Sequence, residues 1–96
     1  MGAATFYTLS SGPTSTDAFN NARAEAKYLH GHQGYTGTIA EKQTFSMATA
    51  TPLTQNKAYD LAYSLASSKY SAKWGPAGCI KIDKPDLYLF FGWASE

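Results

Sequence analysis

Residues 87–93 read LYLFFGW, and this stretch decides the fold because it is strongly β-forming and apolar on both sides. A strand with one face in water should alternate with polar residues, and this one does not. It is therefore either an interior strand, covered by a helix on one face and by the Trp74 turn on the other, or a strand whose second face meets a partner. The large side chains are Leu87, Leu89, Phe91 and Trp93 on one face and Tyr88 and Phe90 on the other.

The spacing of apolar residues predicts two helices upstream of this strand, over residues 15–30 and 55–69. Thr14 is a suitable cap for the first helix, and Gly31 suits the left-handed position that ends it. Each helix carries an apolar stripe for a sheet to cover. The stripes are Phe19, Ala22, Ala26 and Leu29 in the first helix, and Ala58, Leu61, Ala62 and Leu65 in the second.

β-branched and aromatic residues predict the remaining strands. These lie at residues 4–10, 38–42, 44–51 and 79–82, the second and third forming a hairpin. The resulting order is β-α-β-β-α-β-β. We expect one α+β domain over residues 1–96, with both helices packed on one face of a largely antiparallel sheet.

The composition excludes several classes of protein. Of the 96 residues, 16% are charged and 15% are aromatic, and the net charge is +1. This balance excludes a polybasic tail for nucleic acid, an acidic tail and charge-driven disorder. No run reaches the roughly 18 apolar residues of a membrane helix. The single cysteine, Cys79, has no internal partner for a disulfide, so a reducing compartment is expected.

Two motifs carry a resemblance to a known group of proteins. Residues 34–42 read GYTGTIAEK after a helix, and residues 73–78 read KWGPAG before a short strand. With the aromatic strand at the C-terminus, they resemble a group of small, functionally uncharacterised bacteriophage proteins. The resemblance implies a phage origin and a location in the cytoplasm of the bacterial host. It implies no catalytic residues.

Residues 34–42 are the leading candidate for a site that binds a ligand or a partner. Glycines let backbone N–H groups approach a ligand, and hydroxyl and ammonium groups could hold a phosphate or a nucleotide. The glycines follow a helix, however, whereas phosphate-binding loops precede one, so a purely structural helix-to-strand connection is the alternative. The candidate contact residues are His32, Tyr35, Thr36, Thr38, Lys42 and Trp74.

Catalytic and metal chemistry find little support in the sequence. His30 and His32 with Cys79 offer only three dispersed ligands, whereas a structural zinc site takes four. Cys79 within a short strand is typical of a small buried residue rather than a nucleophile. We therefore expect no enzyme activity, no catalytic residues, no metal and no cofactor.

The predicted function is a non-enzymatic phage accessory protein that binds a host component. Within this class we favour an inhibitor of host defence that occupies a host protein or sequesters a small nucleotide signal. A homo-oligomer is expected, because aromatic residues are enriched at interface cores. Its interface would contain Tyr88, Phe90 and Trp93. The alternatives are a structural or virion-associated assembly protein and a nucleic-acid-binding module, the latter disfavoured by the low net charge.

Overall fold

A computed structural model describes residues 2–31 and 34–96 of the chain. Within these ranges, four strands form one mixed sheet, and one helix packs on each of its faces. The elements are β1 (Ala3–Ser11), α1 (Ser15–His30), β2 (Phe45–Met47), α2 (Gln55–Ala66), β3 (Ala77–Lys81) and β4 (Leu87–Ser95). No helix in this part of the chain has the length and apolar character needed to cross a membrane.

The α+β class and the mostly antiparallel sheet are confirmed. The strand order is β1-β4-β3-β2, in which β4 pairs antiparallel with both β1 and β3, and β2 pairs parallel with β3. The aromatic strand β4 is therefore interior, as one of the two sequence-based readings required. That reading is wrong about the Trp74 turn, because α2 covers the second face and Trp74 is exposed. Its nine residues pair with β1 in one continuous register, from Leu87 opposite Ser11 to Ser95 opposite Ala3.

The helix boundaries follow the capping residues that the sequence offers. The Thr14 side chain accepts a hydrogen bond from the Asp17 amide at 3.1 Å and caps α1. Gly31, at φ 91°, ends α1 and donates its N–H to the Lys27 carbonyl. Thr54 caps α2 in the same way, through the Lys57 amide.

Residues 38–42 do not form the predicted strand. Ile39–Glu41 are a single 3-10 turn, capped by the Thr38 hydroxyl, which accepts a hydrogen bond from the Ala40 amide. The predicted hairpin is therefore absent from the described residues, and β2 pairs with β3 rather than with its sequence neighbour. β-branched residues favoured a strand here, but burial of Ile39 and Ala40 beneath α1 favours the compact turn.

The two helices pack on opposite faces of the sheet, so their predicted placement on one face is wrong. One core joins α1 to Phe6 and Phe90, and a second core joins α2 to Leu89 and Phe91. β1 and β3 each run antiparallel to β4, and β2 runs parallel to β3, so β1, β2 and β3 all point the same way. Both helices therefore connect parallel strands. The first connection crosses the sheet from β1 to β2 and the second returns from β2 to β3. Since such crossovers are right-handed, opposite directions place the helices on opposite faces.

The α2 layer removes the need for a partner over β4. Leu89, Phe90 and Phe91 are all fully buried within the chain. Phe90 packs against Phe19 of α1 at 5.5 Å between ring centres, so its predicted place in an oligomer interface is wrong. Tyr88 and Trp93 are half-buried; Trp93 donates its indole N–H to the Ala66 carbonyl at 2.8 Å.

Rows of alanine allow both helices to lie close to the sheet. In each helix the buried alanines recur at every fourth position, where side chains share one face. The rows are Ala18, Ala22 and Ala26 in α1, and Ala58, Ala62 and Ala66 in α2. Leu29 continues the predicted stripe of α1 but is 63% exposed.

Gly78→Ala should destabilise the fold by about 2–3 kcal/mol, because it overfills a core with no room to expand. A Cβ at Gly78 of β3 would overlap the ring of Phe91 on the neighbouring strand. Gly75→Ala is the matched control, since its Cβ would meet Ala72 at an ordinary 3.4 Å. Urea denaturation measures both, and equal stability of the two variants would contradict the packing described for β3 and β4.

Candidate functional site

Residues 34–42 and the 73–78 turn lie side by side, joined by one buried lysine. Lys42 is only 1% exposed. Its ammonium donates hydrogen bonds to the carbonyls of Ala72 at 3.3 Å, Lys73 at 3.1 Å and Gly75 at 2.8 Å. A lysine ammonium has three donors, so all three are used. The two sequence motifs are therefore parts of one local structure.

The 3-10 turn aims the lysine into the protein. Ile39 and Ala40 are anchored in the core beneath α1, and the Lys42 amide donates to the Ile39 carbonyl at 2.9 Å. The lysine side chain then passes over Gly92 of β4, where its Cε is 3.8 Å from the position of a Cβ. Burial lowers the pKa of Lys42 below the ordinary lysine value, because the charged form is removed from water.

Lys42 is consequently not a ligand contact, and that prediction is wrong. A side chain that is 1% exposed, with every donor committed to backbone carbonyls, presents no charge at the surface. In the sequence, the positive charge of this lysine suggested a phosphate contact. In the structure, the ammonium instead binds the carbonyls of the 72–75 turn.

The two threonines of the motif form an internal chain of hydrogen bonds. The Thr36 hydroxyl donates to Glu41 Oε2 at 2.8 Å, and the Thr36 amide donates to the same oxygen at 3.1 Å. The Thr36 and Thr38 hydroxyl oxygens are 2.8 Å apart. Because the Thr36 proton goes to Glu41, Thr38 is the donor in that pair. Thr36 and Thr38 therefore shape the loop, and their hydroxyl protons are not available to a ligand.

Glu41 stands at the centre of this loop as a carboxylate. Partial burial raises the pKa of its carboxyl, but the hydrogen bonds from Thr36 and the nearby charge of Arg23 outweigh burial. The net pKa lies below the ordinary value for glutamate. Glu41 is therefore ionised at neutral pH and half-buried at the surface of the protein.

Two cavities adjoin at Glu41. The first, about 180 Å³, lies beside the end of α1, and the second, about 330 Å³, lies beside the 73–78 turn. We call the pair, with Glu41 between them, the Glu41 groove. The first cavity is lined by Arg23, Lys27, Gly31, Gly34, Ala40 and Glu41, and the second by Glu41, Gln43, Thr44, Trp74 and Gly75.

The groove has a cationic half and an aromatic half. In the cationic half, Arg23 Nη2 donates to the Ala40 carbonyl at 3.3 Å, while Arg23 Nε is buried and has no partner among the described residues. In the aromatic half, Trp74 is 70% exposed, and the Lys73 ammonium lies 5.5 Å from the centre of its ring. A cation at that distance is attracted electrostatically to the face of the aromatic ring.

The structure brings together some of the predicted site residues and adds others. Trp74 lies in the groove, and Tyr35, at φ 56° and 60% exposed, lies on the loop that borders it. His32 falls outside the described residues. Arg23 and Lys27 were not predicted as site residues. Their spacing of four places both on one face of α1, where each is half-buried, and this spacing is visible in the sequence.

The geometry argues against the thiol reading that the sequence raised, whereas the metal reading includes His32, which lies outside the described residues. Cys79 is fully buried, and burial raises the pKa of its thiol to about 12. Across residues 2–31 and 34–96, no group of three or more His, Cys, Asp or Glu side chains is placed to hold a metal ion.

Comparison with known proteins gives no relative: no family model, no curated protein and no solved structure matches this chain.

Lys42→Met should lower the free energy of unfolding by about 2 kcal/mol, because three carbonyls lose hydrogen bonds from a charged donor. Methionine keeps the length and apolar contacts of the side chain, so the loss isolates the ammonium. Lys73→Met is the matched control. Lys73 makes a long contact of 3.5 Å to the Gly2 carbonyl and lies over the exposed ring of Trp74, so its loss should cost less than about 1 kcal/mol.

Urea denaturation of both variants measures the difference. Unchanged or greater stability of Lys42→Met would show that the three hydrogen bonds do not outweigh the desolvation of the ammonium.

Proposed function

We propose that this protein is a non-enzymatic binding protein whose Glu41 groove holds a small nucleotide-like ligand. The observation that carries the proposal is the cavity beside the end of α1, which is lined by two cations, Arg23 and Lys27, and by the carboxylate of Glu41. Two cationic side chains around one concave space favour an anionic group of a ligand.

The cationic half suits an anionic group of the ligand. Arg23 and Lys27 both line this cavity, and guanidinium and ammonium groups are the usual partners of phosphate. The C-terminal end of α1 opposes an anion through the helix dipole. Lys27, in the last turn of α1, offsets that effect at the position where it is strongest.

The aromatic half suits a planar base. Trp74 presents most of its ring to solvent, and stacking of a base on an aromatic side chain contributes about 1–3 kcal/mol. Gln43 and Thr44 add polar groups beside the ring. Glu41 lies between the halves, where a carboxylate can accept hydrogen bonds from ribose hydroxyls or from the N–H groups of a base.

Binding rather than catalysis is proposed because the groove lacks an activated nucleophile. The thiol of Cys79 belongs to the core, and burial raises its pKa to about 12, so it is neither accessible nor ionised at neutral pH. One oxygen of the Glu41 carboxylate, Oε2, accepts both hydrogen bonds from Thr36, and the lowered pKa of the carboxyl makes it a weak base.

The resemblance to small phage proteins supplies the proposed setting. In the cytoplasm of an infected bacterium, a protein that sequesters a nucleotide signal would inhibit the host defence that uses the signal. This role needs affinity and abundance but no turnover, in keeping with a groove built from fixed charges and an aromatic ring.

Isothermal titration calorimetry with ADP, GDP and a cyclic dinucleotide tests the proposal. At least one probe should bind with a dissociation constant on the order of 1–100 µM. Arg23→Gln and Trp74→Leu should each weaken binding about tenfold or more, because each removes one half of the recognition. Adenosine and inorganic phosphate, which carry one half each, should bind more weakly than the nucleotides.

Two controls make the titration specific. Lys69→Gln removes an exposed charge outside the groove, and Tyr28→Leu removes an aromatic ring that is 87% exposed on α1. Both should bind like the parent protein. Failure of all three nucleotides to saturate the protein by about 1 mM, or equal binding by Arg23→Gln, would overturn the nucleotide reading.

A further inference from the structure

The two edges of the sheet are protected very differently. At one edge, β2 contains three residues, a length typical of a protected edge. At the other edge, β1 contains nine residues, AATFYTLSS, and pairs only with β4. None of these nine is charged or a proline, so the usual devices that prevent an edge from pairing are missing.

The free edge of β1 is open to an incoming strand. A cavity of about 290 Å³ runs along it and is lined by four consecutive residues, Thr5 to Thr8. The cavity lies between β1 and α1. Its other lining residues are Ala22, Glu25, Ala26, Leu29 and His30 of α1, with Gly37 and Thr38.

Apolar side chains overhang this edge on both faces. On the α1 face, Leu29 is 63% exposed beside the cavity. On the α2 face, Tyr63 is 53% exposed and packs against Tyr7 of β1, with 4.6 Å between the ring centres. A further strand added to β1 would lie between these overhangs and cover them.

We propose that β1 pairs antiparallel with β1 of a second copy, so that two chains form one continuous eight-stranded sheet. With a two-fold axis perpendicular to the sheet at one β1 residue, odd-numbered residues pair with odd-numbered ones and even-numbered with even-numbered ones. Each face of one strand therefore continues into the same face of the other. An axis at Tyr7 places the two Tyr7 side chains opposite each other, and such an aromatic pair is favourable. The strand itself carries no charge, so two copies of β1 meet without repulsion between their own side chains.

The available area is enough for a specific dimer. Nine residues of strand extend about 30 Å, and the smallest dimension of the molecule is 18 Å. A flank of these dimensions presents about 500 Å² on each copy, so two copies can bury up to about 1,000 Å², the size that a specific interface requires. This interface lies on the opposite side of β1 from β4, and none of the residues that line the Glu41 groove lines its cavity, although Gly37 and Thr38 of the adjoining loop do.

Sedimentation velocity over a range of concentrations tests the dimer. The parent protein should sediment at twice the 10.4 kDa mass of the chain. Thr5→Lys, on the edge, and Leu29→Lys, beside it, should each raise the dimer dissociation constant at least tenfold. Tyr28→Lys adds the same charge to the neighbouring position of α1, which does not line the cavity, and should leave the dimer intact.

A cysteine scan locates the contact independently. In a Cys79→Ala background, single cysteines at positions 5 to 9 should form an intermolecular disulfide most efficiently at the residue on the two-fold axis and less so on either side. A monomer at all concentrations would overturn the proposal, as would a dimer that survives both lysine substitutions or cross-links equally at every position.

Discussion

The buried ammonium of Lys42 is the interaction on which the candidate site depends. It donates hydrogen bonds to three backbone carbonyls of the 72–75 turn, at distances from 2.8 to 3.3 Å. The turn carries Trp74 and leads directly into β3, while the segment before Lys42 carries Glu41 and its threonine network. One side chain thus fixes the distance between the two halves of the groove. A buried charge without an acidic partner is costly unless its donors are all satisfied, and here they are.

The high aromatic content finds its place in a three-layer arrangement. With a helix on each face, a single central strand can bury large side chains in both directions, and β4 does so with Leu89, Phe90 and Phe91. The alanine rows of the helices make room for these rings. Close packing of this kind matters in a domain of this size, because small chains bury a smaller share of their surface than large ones. Among the exposed rings, Trp74 is the one that lines the candidate groove.

Local signals in the sequence predicted the helices and the central strand well. Thr14, Gly31 and Thr54 act through backbone groups a few residues away, so their effect is visible without tertiary information. The side of the sheet on which α2 lies depends on the position of β2, a strand of three residues with little pattern of its own. The apolar residues on both faces of β4 indicated that both faces are covered, and a helix on each side of the sheet is one arrangement that covers them.

The site was harder to predict, because residue type does not reveal where a long side chain ends. Lys42 looks like a surface cation in sequence, and only the path of its side chain over Gly92 shows that it points inward. The Thr36–Glu41 contact depends on positive φ angles at Gly34, Tyr35 and Gly37, a loop shape that composition alone does not specify. The most direct test is NMR of the ¹⁵N-labelled lysine ammonium groups. The account predicts that the Lys42 ammonium exchanges slowly with water and titrates with a pKa below the ordinary lysine value of 10.5, because of burial. Fast exchange and an ordinary titration would contradict it.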